Sequence, residues 1–202
     1  SVNSQHTISA MPDGRTLDWS GRPKGKAMGY LKNAIEELGN GNYKNLPDSV
    51  VRQRLINMIH YVPDMHCPVH VSISKKTFPQ YTQKKGVFRD GKSMKFHTLW
   101  DAAPAMDRKG WDIDDYAKAV DKVSRKQAKA WQSGTLVEWG RDIAKGGHLG
   151  YQLLPDGTDV TKMGKKEKKA MMDHCDKMAM MGAYRLAHVL NTIFADKTIK
   201  TK

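Results

Sequence analysis

The sequence is short of cysteine, of acid and of long apolar runs, and each shortage excludes something. Two cysteines, Cys67 and Cys175, are too few for a disulfide scaffold. They can pair or stay free, and free is the default reading. No apolar run approaches the ~20 residues that a membrane span needs, so stable membrane insertion is not expected. Asp and Glu number 21 against 34 Lys and Arg, which leaves a formal net charge of +13. A basic excess this large favours phosphate-bearing partners such as nucleic acid, nucleotides or anionic lipid. With 202 residues there is no room for two full domains, and 39% hydrophobic content excludes disorder throughout. No signal peptide is visible. The chain starts at Ser1 and not at Met, so it reads as a processed or truncated product.

What is present is helical periodicity. Turn signals crowd residues 1–23, at Pro12-Asp13-Gly14 and Gly21-Arg22-Pro23. Over residues 24–38, Ala27, Tyr30, Leu31, Ala34, Ile35 and Leu38 recur at threes and fours, an amphipathic helix stopped by Gly39-Asn40-Gly41. A second helix starts near Pro47-Asp48-Ser49 and runs into His60 along Val51, Leu55, Ile56, Met58 and Ile59. Residues 72–96 lack a period and are basic, which predicts a long loop or hairpin. One helix is predicted over 112–133, a shorter one over 135–144 ended by Gly146-Gly147, and a long one over 165–194 with a core-facing Met stripe. With no repeat and no strong strand alternation, the expected fold is mainly α: a multi-helix bundle with long loops around a cleft.

The eight histidines are not scattered. His60, His66 and His70 fall within eleven residues and His97 follows. His60 has Asp64 four residues on, and His97 has Asp101 at the same spacing. Positions i and i+4 share a helix face, so each pair can grip one divalent metal. Zn²⁺ accepts His nitrogen and Asp oxygen at about 2.0–2.2 Å. One such pair is more often a surface hydrogen bond. Two pairs, with another His between them and Ile59, Val62, Val69, Leu99 and Trp100 around them, point to a metal site. His66, His148, His174 and His188 are read as structural, with His148 in a loop after Gly146-Gly147, and Cys175 as a small core residue.

The segments His60-Tyr61-Val62-Pro63-Asp64-Met65-His66-Cys67-Pro68-Val69-His70 and Phe96-His97-Thr98-Leu99-Trp100-Asp101 resemble the motifs of the zinc-dependent single-strand nucleases of the S1/P1 type, in the phospholipase C/nuclease superfamily. Ala130-Trp131-Gln132-Ser133 and residues 182–194 resemble that family as well. The resemblance implies a mainly helical, phospholipase C/nuclease-like fold that binds zinc. Carried over by motif, His60 and Asp64 would serve one zinc, and His70, His97 and Asp101 a second. His6 sits at the distance where the family has a further histidine and is assigned to the first zinc. The family's remaining ligands lie upstream of this position, so residues 1–202 are expected to be one zinc-hydrolase domain lacking its N-terminal part, with two zinc sites supported and the third not. Thr7 and Ser9 stand where the family uses an aromatic and an acid to hold a base. Pro63 replaces the usual small residue before the Asp.

The implied activity is hydrolysis of single-stranded DNA or RNA, or of 3′-nucleotides, by metal-activated water, with Asp64 as the catalytic residue. Lys75, Lys76, Lys84, Lys85 and Arg89 are candidates for steering the polyanion, and Phe78, Tyr81 or Phe88 for stacking on bases. Two alternatives stay open: a phospholipase C-like phosphoester hydrolase, and a non-catalytic relative that binds polyanions through its charge. Family resemblance implies a secreted or periplasmic protein. Nothing indicates a protein partner.

Overall fold

The computed structural model describes residues 6–11, 13–15, 26–73, 87–89, 92–105 and 108–201. Seven helices dominate them: α1 (Ala27–Leu38), α2 (Asp48–His66), α3 (Phe96–Ala102), α4 (Ile113–Val120), α5 (Arg125–Gln132), α6 (Leu136–Leu153) and α7 (Lys165–Phe194). The fold is mainly α, as the periodicity predicts. Four three-residue strands accompany the helices. β1 (Ile8–Ala10) pairs in parallel with β2 (Val71–Ile73), and β3 (Val87–Arg89) pairs antiparallel with β4 (Lys92–Met94). The second pair is the hairpin expected within the basic segment. Strands this short cannot carry a readable alternation.

Two apolar clusters hold the helices together. The larger joins Met28, Leu31 and Ile35 of α1 with Met58, Val62 and Met65 of α2, Ile8 and Val71 of the parallel pair, Trp139 and Ile143 of α6, and Val189 and Ile193 of α7. The smaller packs Phe96, Leu99 and Trp100 of α3 against Leu154, Val160, Met171 and Cys175. Met171, Met178 and Met181 of α7 are buried, so the Met stripe is core. Cys175 is buried and Cys67 half-buried, and both thiols are free.

Three boundaries differ from the sequence reading. First, α2 does not stop at His60 but continues through Pro63 to His66. Second, α6 runs through Gly146 and Gly147 to Leu153, so His148 is helical and not in a loop. Glycine costs ~1 kcal/mol per helical position, yet here it permits close packing. A Cβ on Gly147 would lie 2.4 Å from Val71 Cβ, and one on Gly150 2.4 Å from Pro68 Cβ. The chain between α2 and β2 therefore rests directly on the α6 backbone. Third, the helix expected over 112–133 is two helices. The Asp112–Asp115 capping box starts α4, and Ser124 Oγ accepts the Gln127 N–H at 3.2 Å to start α5. No residue of either helix is fully buried, and Ile113 is 85% exposed, so the stripe read there faces no core.

Candidate metal centre

Two helical turns and one parallel strand pair bring the candidate side chains together. On α2, His60 Nε2 lies 2.9 Å from Asp64 Oδ2. On α3, Phe96, Leu99 and Trp100 take the buried face, which turns His97 and Asp101 the other way. His97 Nδ1 lies 2.8 Å from Asp101 Oδ2. Both four-residue spacings thus fall on helices, although the sequence reading ends the first helix at His60 and predicts none over 96–102. After α2 the chain turns sharply. Cys67 N–H donates to Asp64 O at 2.9 Å, and His70 N–H donates to Cys67 O at 3.0 Å. A short 3₁₀ turn, Pro68–His70, then leads into β2.

The β1–β2 register explains why a histidine far away in sequence joins them. Ile8 pairs with Val71 in parallel, so the chains enter the pair side by side, with His6 just before one strand and His70 just before the other. The His6 and His70 ring centroids are 4.8 Å apart, His6 stacks on His60 at 5.6 Å, and His70 meets His97 edge-on at 5.3 Å. The four rings form a continuous run with Asp64 and Asp101 beside it.

This donor set fits a divalent cation. Donor atoms of His6, Asp64 and His70 all lie within 4.8 Å of one another, and so do those of Cys67, His70 and Asp101. Among the described residues, the buried Nδ1 atoms of His6 and His70 have no hydrogen-bond partner. A buried polar atom without a partner costs ~1–3 kcal/mol, a cost that a bound cation would offset. Burial is the main cause that lowers the His70 pKa, countered by Asp64 and Asp101. The ring is thereby held neutral, the state that binds metal.

His66 lies between these residues in sequence but points elsewhere. It is 1% exposed, and its Nδ1 sits 2.7 Å from Val62 O. Its Nε2 lies 3.2 Å from Arg185 Nη1 on α7. Arg185 always donates, so Nε2 accepts and the proton sits on Nδ1. The same guanidinium reaches Asp142 of α6 at 2.7 Å and Trp131 O of α5 at 3.0 Å. The structural role read for His66 agrees, and the arginine that holds it has no local signal in the sequence.

Burial first and the Arg185 charge second lower the His66 pKa from 6.5 to about 3. The unfolded chain takes up a proton here near pH 6.5, whereas the folded chain does not until about pH 3. Between those values the unfolded state binds more protons, so stability is full above pH 6.5 and falls as the pH drops through the window. Urea midpoints measured at pH 7 and pH 4.5 are expected to show this loss, and His66→Gln to reduce it. Buried His70 and His174 and half-buried His188 have lowered pKa values and act in the same direction.

The sequence-predicted residues His6, His60, Asp64, His70, His97 and Asp101 therefore converge. Lys75, Lys76, Lys84 and Lys85 lie outside the described residues, as do Phe78, Tyr81 and the side chains of Phe88 and Arg89. Cys67, which carries no motif assignment, lies beside His70 and Asp101. Its position three residues after Asp64 and three before His70 is its one signal in the sequence. Among the described residues no helix is long and apolar enough to cross a membrane. A comparison with curated proteins finds no match. The family model described as S1/P1 Nuclease matches residues 8–195, nearly the whole chain and both His-Asp helices. The chain belongs to the S1/P1 nuclease family.

Proposed function

We propose that this protein is a zinc-dependent phosphodiesterase that hydrolyses single-stranded nucleic acid or 3′-nucleotides. The observation that carries the reading is the convergence of four imidazoles and two carboxylates, from the entry to β1, from α2 and its turn, and from α3, in a chain of a nuclease family. In this reading His6, His60 and Asp64 hold one zinc, and His70, His97 and Asp101 hold a second. Zinc, when bound, supplies positive charge against the phosphate and lowers the pKa of bound water to about 7.

The chain's own residues supply position. Asp64 sits on a helical turn beside His60, where its carboxylate would accept a hydrogen bond from the attacking water and orient it in line with the P–O3′ bond. Cleavage there leaves a 5′-phosphate. The rings of His6, His60, His70 and His97 brace one another, so each nitrogen is fixed before substrate arrives. The net charge of +13 draws the polyanion in, with Lys75, Lys76, Lys84, Lys85 and Arg89 contributing near the site in sequence. Secretion or export to a periplasm follows the family's habit.

Treating the full chain with a chelator is expected to abolish hydrolysis of single-stranded DNA, and added Zn²⁺ to restore it. A duplex of the same sequence is expected to be cut much more slowly. Hydrolysis that survives complete metal removal would refute the proposal, as would zinc-loaded protein that leaves single strands and 3′-nucleotides intact.

A further inference from the structure

Cys67 occupies the corner between α2 and the 3₁₀ turn, and its backbone is fixed on both sides by the hydrogen bonds to Asp64 and from His70. The direction of its side chain follows from that. Cys67 Sγ lies 3.9 Å from Asp101 Oδ1, the carboxylate oxygen that His97 does not occupy. Sulfur, a His70 ring nitrogen and an Asp101 oxygen lie within 4.8 Å of one another. His70 is itself 6% exposed, and its Nδ1 is buried without a hydrogen-bond partner among the described residues. A soft donor, a borderline donor and a hard donor thus share one small space.

We infer that Cys67 is a further metal ligand, completing with His70 and Asp101 a mixed sulfur, nitrogen and oxygen site for a borderline or soft divalent cation such as Zn²⁺ or Cd²⁺. The inference rests on the metal-centre reading above and deepens it, since the motif assigns His70, His97 and Asp101 but no sulfur. Zinc accepts all three donor types. On binding, the S–H bond is exchanged for a sulfur–metal bond and the proton leaves to solvent. One thiolate and one carboxylate then balance the charge of the cation, with the imidazole neutral. A thiolate also shifts preference away from Mg²⁺ and Ca²⁺, which favour oxygen, toward softer ions.

The test is titration of the full chain with Co²⁺, followed by absorption spectroscopy. Cobalt bound through sulfur shows a ligand-to-metal charge-transfer band in the near ultraviolet, besides the visible ligand-field bands that any tight site gives. The expected result is a charge-transfer band in the wild type and in Cys175→Ser, and its loss in Cys67→Ser with the visible bands retained. Cys67→Ser is also expected to bind Cd²⁺ at least tenfold more weakly. If the serine variant does not fold, alkylation of Cys67 in the Cys175→Ser background replaces it, and bound Zn²⁺ is expected to slow the reaction. Visible bands without a charge-transfer band would overturn the role of Cys67 and leave the metal centre standing. So would a charge-transfer band that vanishes in Cys175→Ser, or alkylation indifferent to Zn²⁺. Absence of both kinds of band would overturn the metal centre together with its sulfur ligand.

Discussion

Asp64→Asn is expected to lower turnover of single-stranded DNA about 10³-fold while leaving the unfolding midpoint close to that of the wild type. The large term is chemical. The substitution keeps the shape of the side chain but removes its negative charge, and metal-linked stabilisation of charge is worth several kcal/mol, with 1.36 kcal/mol per tenfold in rate. The small term is structural. The Asp64 side chain is 32% exposed and its partner His60 47% exposed. Exposed pairs of this kind contribute ~0–1 kcal/mol, and the Asn oxygen can still accept from His60 Nε2. Zinc content measured on the same sample divides the two roles proposed for Asp64. Lost zinc would assign the effect to metal holding, and retained zinc with slow turnover to orientation of the water. Unchanged turnover would remove Asp64 from the mechanism.

The reason this residue could be found in the sequence is geometric. A helix repeats every 3.6 residues, so His60 with Asp64 and His97 with Asp101 announce a shared face without any knowledge of the rest of the fold. His6 carries no such local signal. Its place depends on the parallel pairing of Ile8 with Val71, and three-residue strands have no pattern to read. Only the spacing shared with the family pointed to it. The course of α6 is not legible in the sequence for a related reason. Gly146 and Gly147 break helices by propensity, and only the surfaces of Met178 and Val71 pressed against them make glycine the residue that fits. Residues 112–133 failed the other way. Their stripe has helical spacing, but it meets no core, and the Ser124 cap divides it. Cys67 went unread because a cysteine between two motif residues takes its meaning from Asp101 on another helix, 34 positions away.

Arg185→Leu is expected to cost about 3–4 kcal/mol of stability at pH 7, read as a lower urea midpoint, whereas Asp142→Asn is expected to cost about 1 kcal/mol or less. The asymmetry follows from burial. The Arg185 side chain is 1% exposed and the Asp142 side chain 51%. Deleting the carboxylate leaves the guanidinium two other acceptors, Trp131 O and His66 Nε2, and removes a charge that water half covers. Deleting the guanidinium strips donors from both of those acceptors inside the protein and empties the space over the Trp139 ring, which the guanidinium faces at 5.0 Å. Four elements lose their common tie at once: α2 through His66, α5 through Trp131, α6 through Asp142 and α7 itself. Arg185→Lys is expected to recover little, because one ammonium cannot reach three acceptors held in a fork. The same variants bear on acid sensitivity. The Arg185 charge helps to hold the His66 pKa down, so its loss is expected to shrink the fall in stability between about pH 6.5 and about pH 3. If Arg185→Leu and Asp142→Asn prove equally harmful, the ion pair itself would carry the stability. If Arg185→Leu is costly but the acid slope is unchanged, His66 titrates independently of the arginine, and its low pKa comes from burial alone.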